Sequence, residues 1–119
     1  MTNDLSPWPQ ELRLQQGGSR LQLTFDSGEI FVLSAEFLRT HSPSAEVKGH
    51  APGDERLVLG KQDVHIVRIE PVGNYAARLV FDDGHATGLY SWDYLLKLGR
   101  ERDSLWARYL SRAAEAGSR

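Results

Sequence analysis

The stretch Tyr75–Leu98, YAARLVFDDGHATGLYSWDYLLKL, decides the fold. Tyr75, Ala77, Leu79 and Phe81 alternate with Ala76, Arg78 and Val80, the period of two that suits a half-buried strand. Asp82-Asp83-Gly84 then supplies a glycine where a short hairpin connection needs positive φ, so the chain is expected to reverse. Ser91 stands ahead of Trp92-Asp93-Tyr94-Leu95-Leu96. There its hydroxyl can accept an orphan backbone N–H while Asp93 sits in the positive first turn, so a helix is predicted to start at Ser91.

The same construction occurs earlier in the chain. Leu21, Leu23 and Phe25 lead into Asp26-Ser27-Gly28, then Ile30-Phe31-Val32-Leu33, then Ser34-Ala35-Glu36-Phe37-Leu38. Phe25-Asp26-Ser27-Gly28 matches Phe81-Asp82-Asp83-Gly84, and Ser34–Leu38 matches Ser91–Leu95. Each half also has a strand candidate in front: Glu11–Gln15 before Gly17-Gly18, and Val64–Glu70 before Pro71-Val72-Gly73-Asn74. The pattern predicts an α+β fold of two three-stranded antiparallel meanders packed together, each followed by a helix, with a C-terminal helix covering the sheet. Neither meander can cover its own apolar face.

The chain of 119 residues has room for one domain, expected over residues 11–114, with a flexible leader at 1–10 and a frayed tail at 115–119. Trp8 is expected to tuck against the domain edge. A hydrophobic content of 40% and a net charge of −2 describe a soluble protein with no general attraction to nucleic acid or anionic lipid. The absence of cysteine removes disulfides, thiolate metal sites and cysteine nucleophiles together. The N-terminus lacks a basic region followed by an apolar core, and no stretch approaches the roughly 20 apolar residues of a membrane span. The cytoplasm is the expected compartment, with no membrane and no nucleic acid among the partners.

Between the repeats, Thr40–Gln62 carries two prolines, three glycines, His41 and His50, and a short apolar run Leu57-Val58-Leu59 that reads as an added strand or a packed flap. A loop of this length in so small a domain is expected to be functional. Past Ser91, Gly99 is expected to end or bend the helix. Leu105, Trp106, Tyr109, Leu110 and Ala113 then form the apolar stripe of a second helix, with Arg108 and Arg112 expected to point outward.

The chemistry of turnover is not encoded in any local motif. No Gly-x-x-x-x-Gly-Lys-Ser/Thr run or Gly-x-Ser-x-Gly elbow occurs. His41, His50, His65 and His85 are followed two positions later by Pro43, Pro52, Val67 and Thr87, so no His-x-Asp/Glu pair is available for an iron triad. Asp82-Asp83 is better read as a turn former than as a catalytic dyad. His65 is expected inside a strand, partly buried and hydrogen-bonded, on one face with Val67 and Ile69. Tyr90, Trp92 and Tyr94 read as a ligand cage or as core, with core the usual place for strand-end and helix-start aromatics. His85 reads as a metal ligand, a polar anchor or a solvated side chain; without a second ligand at fixed spacing, structural roles are favoured.

LRTHSPSAEVKGH (Leu38–His50), EPVGNYAARLVFDDGHATGLYSWDYLLKLG (Glu70–Gly99) and the tandem FDSG/FDDG turns resemble the gamma-butyrobetaine hydroxylase-like N-terminal domain family, in its short stand-alone bacterial form. The resemblance covers roughly residues 11 to 113. In the long members, the carnitine-pathway hydroxylases, such a domain precedes an iron and 2-oxoglutarate oxygenase and holds a structural zinc through three cysteines and a histidine. Carried over, the cysteine positions fall on Ser42, Ser44 and Val47 and the histidine on His85, which implies loss of that zinc site. Similar domains are joined to iron–sulfur carrier ATPases, which implies a role near iron–sulfur handling.

The expectation is therefore a non-enzymatic accessory domain without catalytic residues or cofactor. It would bind a protein partner, an oxygenase or an iron–sulfur assembly component. Family-like residues concentrate around the long loop and second hairpin, which makes Ser42, Ser44, Tyr90 and Trp92 the candidate partner contacts. The alternative is a metal-binding module holding zinc or iron on His85 with the loop histidines His50 and His41.

Overall fold

A computed structural model describes residues 7–44 and 56–117. The first repeat comprises strands β1 (Pro9–Gln15), β2 (Arg20–Phe25) and β3 (Ile30–Ser34) and helix α1 (Ala35–Thr40). The second comprises β4 (Ile66–Val72), β5 (Ala76–Phe81) and β6 (Leu89–Ser91) and helix α2 (Trp92–Arg100), and α3 (Arg102–Glu115) follows after Glu101. The strands form two three-stranded antiparallel sheets in the orders β1-β2-β3 and β4-β5-β6. The fold is α+β, as the alternation and turn residues predict.

The two repeats match atom for atom at their turns. Phe25 N–H donates to the Glu29 carbonyl and Gly28 N–H to the Phe25 carbonyl; in the second unit Phe81 N–H donates to His85 and Gly84 N–H to Phe81. Gly28 (φ +92°) and Gly84 (φ +90°) take the conformation that side chains rarely adopt. Both Asp side chains then tie down the start of the first strand. Asp26 accepts from Trp8 N–H at 2.8 Å, and Asp82 accepts from His65 N–H at 3.1 Å. The Asp backbone N–H groups donate in return to the carbonyls of Trp8 and His65. Both first strands carry an irregularity just beyond, between Pro9 and Glu11 and between Ile66 and Arg68.

The helices start as the sequence predicts. Ser34 accepts from Phe37 N–H at 3.0 Å and Ser91 from Tyr94 N–H at 3.1 Å, so each serine satisfies one orphan donor. The inward residues of β2 and β5, Leu21, Leu23, Phe25, Leu79 and Phe81, meet Phe37, Leu38, Tyr90, Leu95 and Leu98 in one core drawn from both halves. At about 1.5–3 kcal/mol per fully buried large apolar side chain, this shared core is the main stabilising term.

Several local expectations change. β1 begins at Pro9, two residues ahead of the expected Glu11. Trp8 is tied through its backbone to Asp26 while 52% of its surface stays exposed. β4 runs two residues later than expected and includes Pro71, which an edge strand tolerates because no second neighbour needs its missing N–H. His65 lies just before the strand. The irregularity at Ile66/Arg68 breaks the alternation, so Ile66 is buried while Val67 is exposed. Gly99 does not end α2, which runs on to Arg100. A Cβ there would come within 2.5 Å of the Phe31 ring, so the glycine lets α2 lie directly on β3. Leu57-Val58-Leu59 forms no strand. It packs as a flap on α3, with the Val58 carbonyl accepting the Tyr109 hydroxyl at 2.7 Å.

A candidate functional site beside a polar lock

The connection from Gly84 to β6 crosses the end of α1. Three residues longer than its counterpart between Gly28 and β3, it carries His85 inward to 9% exposure. His85 Nε2 lies 2.9 Å from Ser42 Oγ and 3.5 Å from Ser44 Oγ. Gly88 permits this closeness, because a Cβ there would stand 2.4 Å from Ser42 Oγ. On the outer side, Asp83 Oδ2 accepts from Arg39 Nε at 2.8 Å and lies 2.8 Å from Lys61 Nζ. Its Oδ1 accepts the His85 backbone N–H at 3.0 Å. Partial burial pushes the Asp83 carboxyl up, but Lys61, the His85 N–H and Arg39 outweigh it and hold the group down at about 2. The lock ties α1, the hairpin and the segment entering β4 together.

The positions that the resemblance assigns to zinc ligands do gather here, apart from Val47, which lies outside the described residues. The donor set does not fit zinc. Two serine hydroxyls are poor ligands, and the His85 nitrogen facing them is already hydrogen-bonded. Among the described residues, no group of three or more His, Cys, Asp or Glu side chains is placed to hold a metal ion. His50 lies outside the described residues.

His41 faces elsewhere. Its Nδ1 lies 2.9 Å from the Phe37 carbonyl, its ring packs on Phe37, and it lines a cavity to which His85 does not contribute. Burial lowers the His41 pKa, opposed by the Phe37 carbonyl and reinforced by the charge of Arg112. The aromatic trio forms no cage. Tyr90 is fully buried and donates to the Leu38 carbonyl, Tyr94 donates to the His41 carbonyl at 2.6 Å, and Trp92 donates to Asn74 at 2.8 Å. Burial raises both tyrosines, Tyr94 to about 12. Of the four candidate partner contacts, Ser42, Ser44 and Tyr90 are buried and Trp92 is half-buried.

The cavity beside His41 has a volume of about 310 Å³. The end of α1 and Tyr94 form one wall, and the Arg56-Leu57-Val58 segment forms another. Lys97 of α2 and Arg108, Tyr109 and Arg112 of α3 complete it, and among the described residues no carboxylate lines it. Arg56, Lys97, Arg108 and Arg112 take part in no ion pair among the described residues, and neither does Arg20 outside the recess, whereas Arg13, Arg39, Lys61, Arg68, Arg78, Arg100 and Arg102 all do. The nearby hydroxyls are turned inward: Thr40 donates to the Glu36 carbonyl and Tyr109 to Val58. The recess therefore offers concentrated positive charge and N–H donors, a lining chemically suited to an anion.

Sequence reading placed Arg108 and Arg112 outward and missed this recess. The available signal was their spacing, because like charges at i and i+4 share a helix face and repel unless an anion lies near.

A duplicated strand-hairpin-helix unit with a polar lock and a basic recess defines a small α+β domain. The family model described as "Gamma-butyrobetaine hydroxylase-like, N-terminal" matches residues 12–96, and the chain belongs to that family. Two solved solution structures resemble it closely. One is 46% identical with a TM-score of 0.81, covering 94% of this chain and 88% of that one. The other is 48% identical with a TM-score of 0.81, covering 96% and 85%. A crystal structure of a protein with unknown function from Acidithiobacillus ferrooxidans, belonging to the DUF971 family, is 34% identical with a TM-score of 0.64, covering 76% of this chain and 91% of that one. No curated protein matches.

Proposed function

We propose that this domain is a non-catalytic accessory module that docks a partner protein by receiving an anionic group of that partner in the basic recess. The observation that carries the reading is the gathering on one cavity of four cations that, among the described residues, have no ion-pair partner and no lining carboxylate beside them. In a chain of net charge −2 such a concentration selects its counterpart by charge and steers the encounter. The groups with catalytic chemistry support binding over turnover: His85 is bonded to Ser42, His65 to the Asp63 carbonyl, and Asp83 to two cations. The link to iron–sulfur handling has no counterpart in the geometry of the described residues, and neither does a metal on His85 and His41.

The test is amide-shift mapping with a glutamate-rich peptide at low salt, using a glutamine peptide of the same length as control. The expected result is shifts confined to residues around Lys97, Arg108 and Arg112, weakening as salt rises. Shifts distributed away from the recess, or none with either peptide, would overturn the reading.

A further inference from the structure

We infer that the group the recess is built to hold is a phosphate monoester, not a carboxylate; this rests on the docking reading above and names its ligand class. A carboxylate carries one charge and is satisfied by one guanidinium fork. The recess instead collects Arg56, Lys97, Arg108 and Arg112 from three separate segments. That surplus matches a group with a charge of about −1.5 to −2 and three strong acceptor oxygens. Three of the four cations are arginines, whose planar forks pair bidentately with phosphate oxygens, and the fourth is a compact point charge. The inward-turned hydroxyls fit the same reading. With Thr40 and Tyr109 donating to carbonyls, the cations supply the donors for an oxyanion.

Two further features point to a built site. Arg108 and Arg112 stand one turn apart on α3, a like-charge pair that a bound dianion converts from repulsive to bridging. Beside the recess, Trp106 stacks on the buried Tyr109 with rings 5.0 Å apart and meets Phe37 edge-on, which fixes that part of α3 against α1. At about 310 Å³ the cavity admits a phosphoryl group with the side chain or small scaffold that bears it.

The phosphate can arrive on a phosphorylated side chain of a partner or on a free metabolite, and calorimetric titration of the full chain separates the two sources. The probes are a phosphoserine peptide, the same peptide with glutamate in place of phosphoserine, and phenyl phosphate. The proposal expects the phosphoserine peptide to bind on the order of tenfold more tightly than its glutamate counterpart. It also expects the Arg108→Gln/Arg112→Gln pair to lose that preference while keeping the wild-type circular dichroism and melting profile. Lys97→Gln, on a different helix, guards against a fold defect in α3 and is expected to weaken phosphate binding as well. Equal affinity for the glutamate and phosphoserine peptides overturns the phosphate assignment and leaves the docking reading standing. Phenyl phosphate binding as tightly as the phosphopeptide upholds the assignment, makes the ligand a small molecule and overturns protein docking. Failure of all three probes to bind overturns both.

Discussion

Asp83 is the residue on which the polar lock turns. Its carboxylate meets Arg39 and Lys61 from two different segments and also accepts the His85 N–H, so it has a marked preference for the ionised form. In the folded state it titrates at about 2, below the ordinary value of 3.8. Between those values the unfolded chain binds more protons than the folded one. The stabilisation is therefore complete above the ordinary carboxylate range and is lost as pH falls from about 4 towards 2. Asp83→Asn keeps the shape and the acceptor for His85 but removes the charge. The variant is expected to lose about 1–2 kcal/mol at neutral pH, discounted for solvent screening at Asp83, which is partly exposed. It is also expected to show a flatter acid limb than wild type. Urea unfolding at a series of pH values reads both effects, and parallel pH curves for the two proteins would refute the account.

At the scale of single elements, α2 depends on a residue with no side chain. Gly99 lies within the helix, where alanine would ordinarily add about 1 kcal/mol of helix propensity. Here a Cβ would come within 2.5 Å of two Phe31 ring atoms, one of them Cγ, which cannot swing clear without moving the strand. Overpacking of this kind costs about 1–3 kcal/mol, so Gly99→Ala is expected to be destabilising by about 1 kcal/mol net in chemical denaturation. A stabilised variant would show that α2 does not bear on β3 as described. Sequence periodicity could not reveal this contact, because it joins residues far apart in the chain. The same distinction decides what else was legible. Hairpins and helix starts were readable because Asp26-Ser27-Gly28, Asp82-Asp83-Gly84, Ser34 and Ser91 act within four residues of themselves. The start of β4 was misread because a local irregularity interrupts its alternation. The separation of His41 from His85, and the basic recess itself, depend on how distant segments meet, which no local spacing encodes.

For the whole molecule, the duplication raises the question of whether either half is a folding unit. The large buried side chains come from both repeats: Leu21, Leu23, Phe25, Leu33, Phe37 and Leu38 from one, and Ile66, Leu79, Phe81, Tyr90, Leu95 and Leu98 from the other. They form a single cluster. The halves also interlock through polar contacts. The turn at Gln16–Gly18 brings Gly18 so near the Ile66 carbonyl that a Cβ would stand at 2.1 Å. Tyr90 and Tyr94 of the second repeat hydrogen-bond to carbonyls of Leu38 and His41. Separating the repeats would leave two small sheets with one bare face each and too little buried area to offset chain entropy. Fragments spanning residues 1–50 and 51–119 are therefore expected to give collapsed, poorly dispersed amide spectra alone and to regain the dispersed native spectrum when mixed. The recovered complex should melt cooperatively, with a midpoint that rises with concentration because folding has become bimolecular. A dispersed spectrum and cooperative melt from either fragment alone would mean that each meander carries its own core, and the contacts joining the repeats would then be incidental to stability.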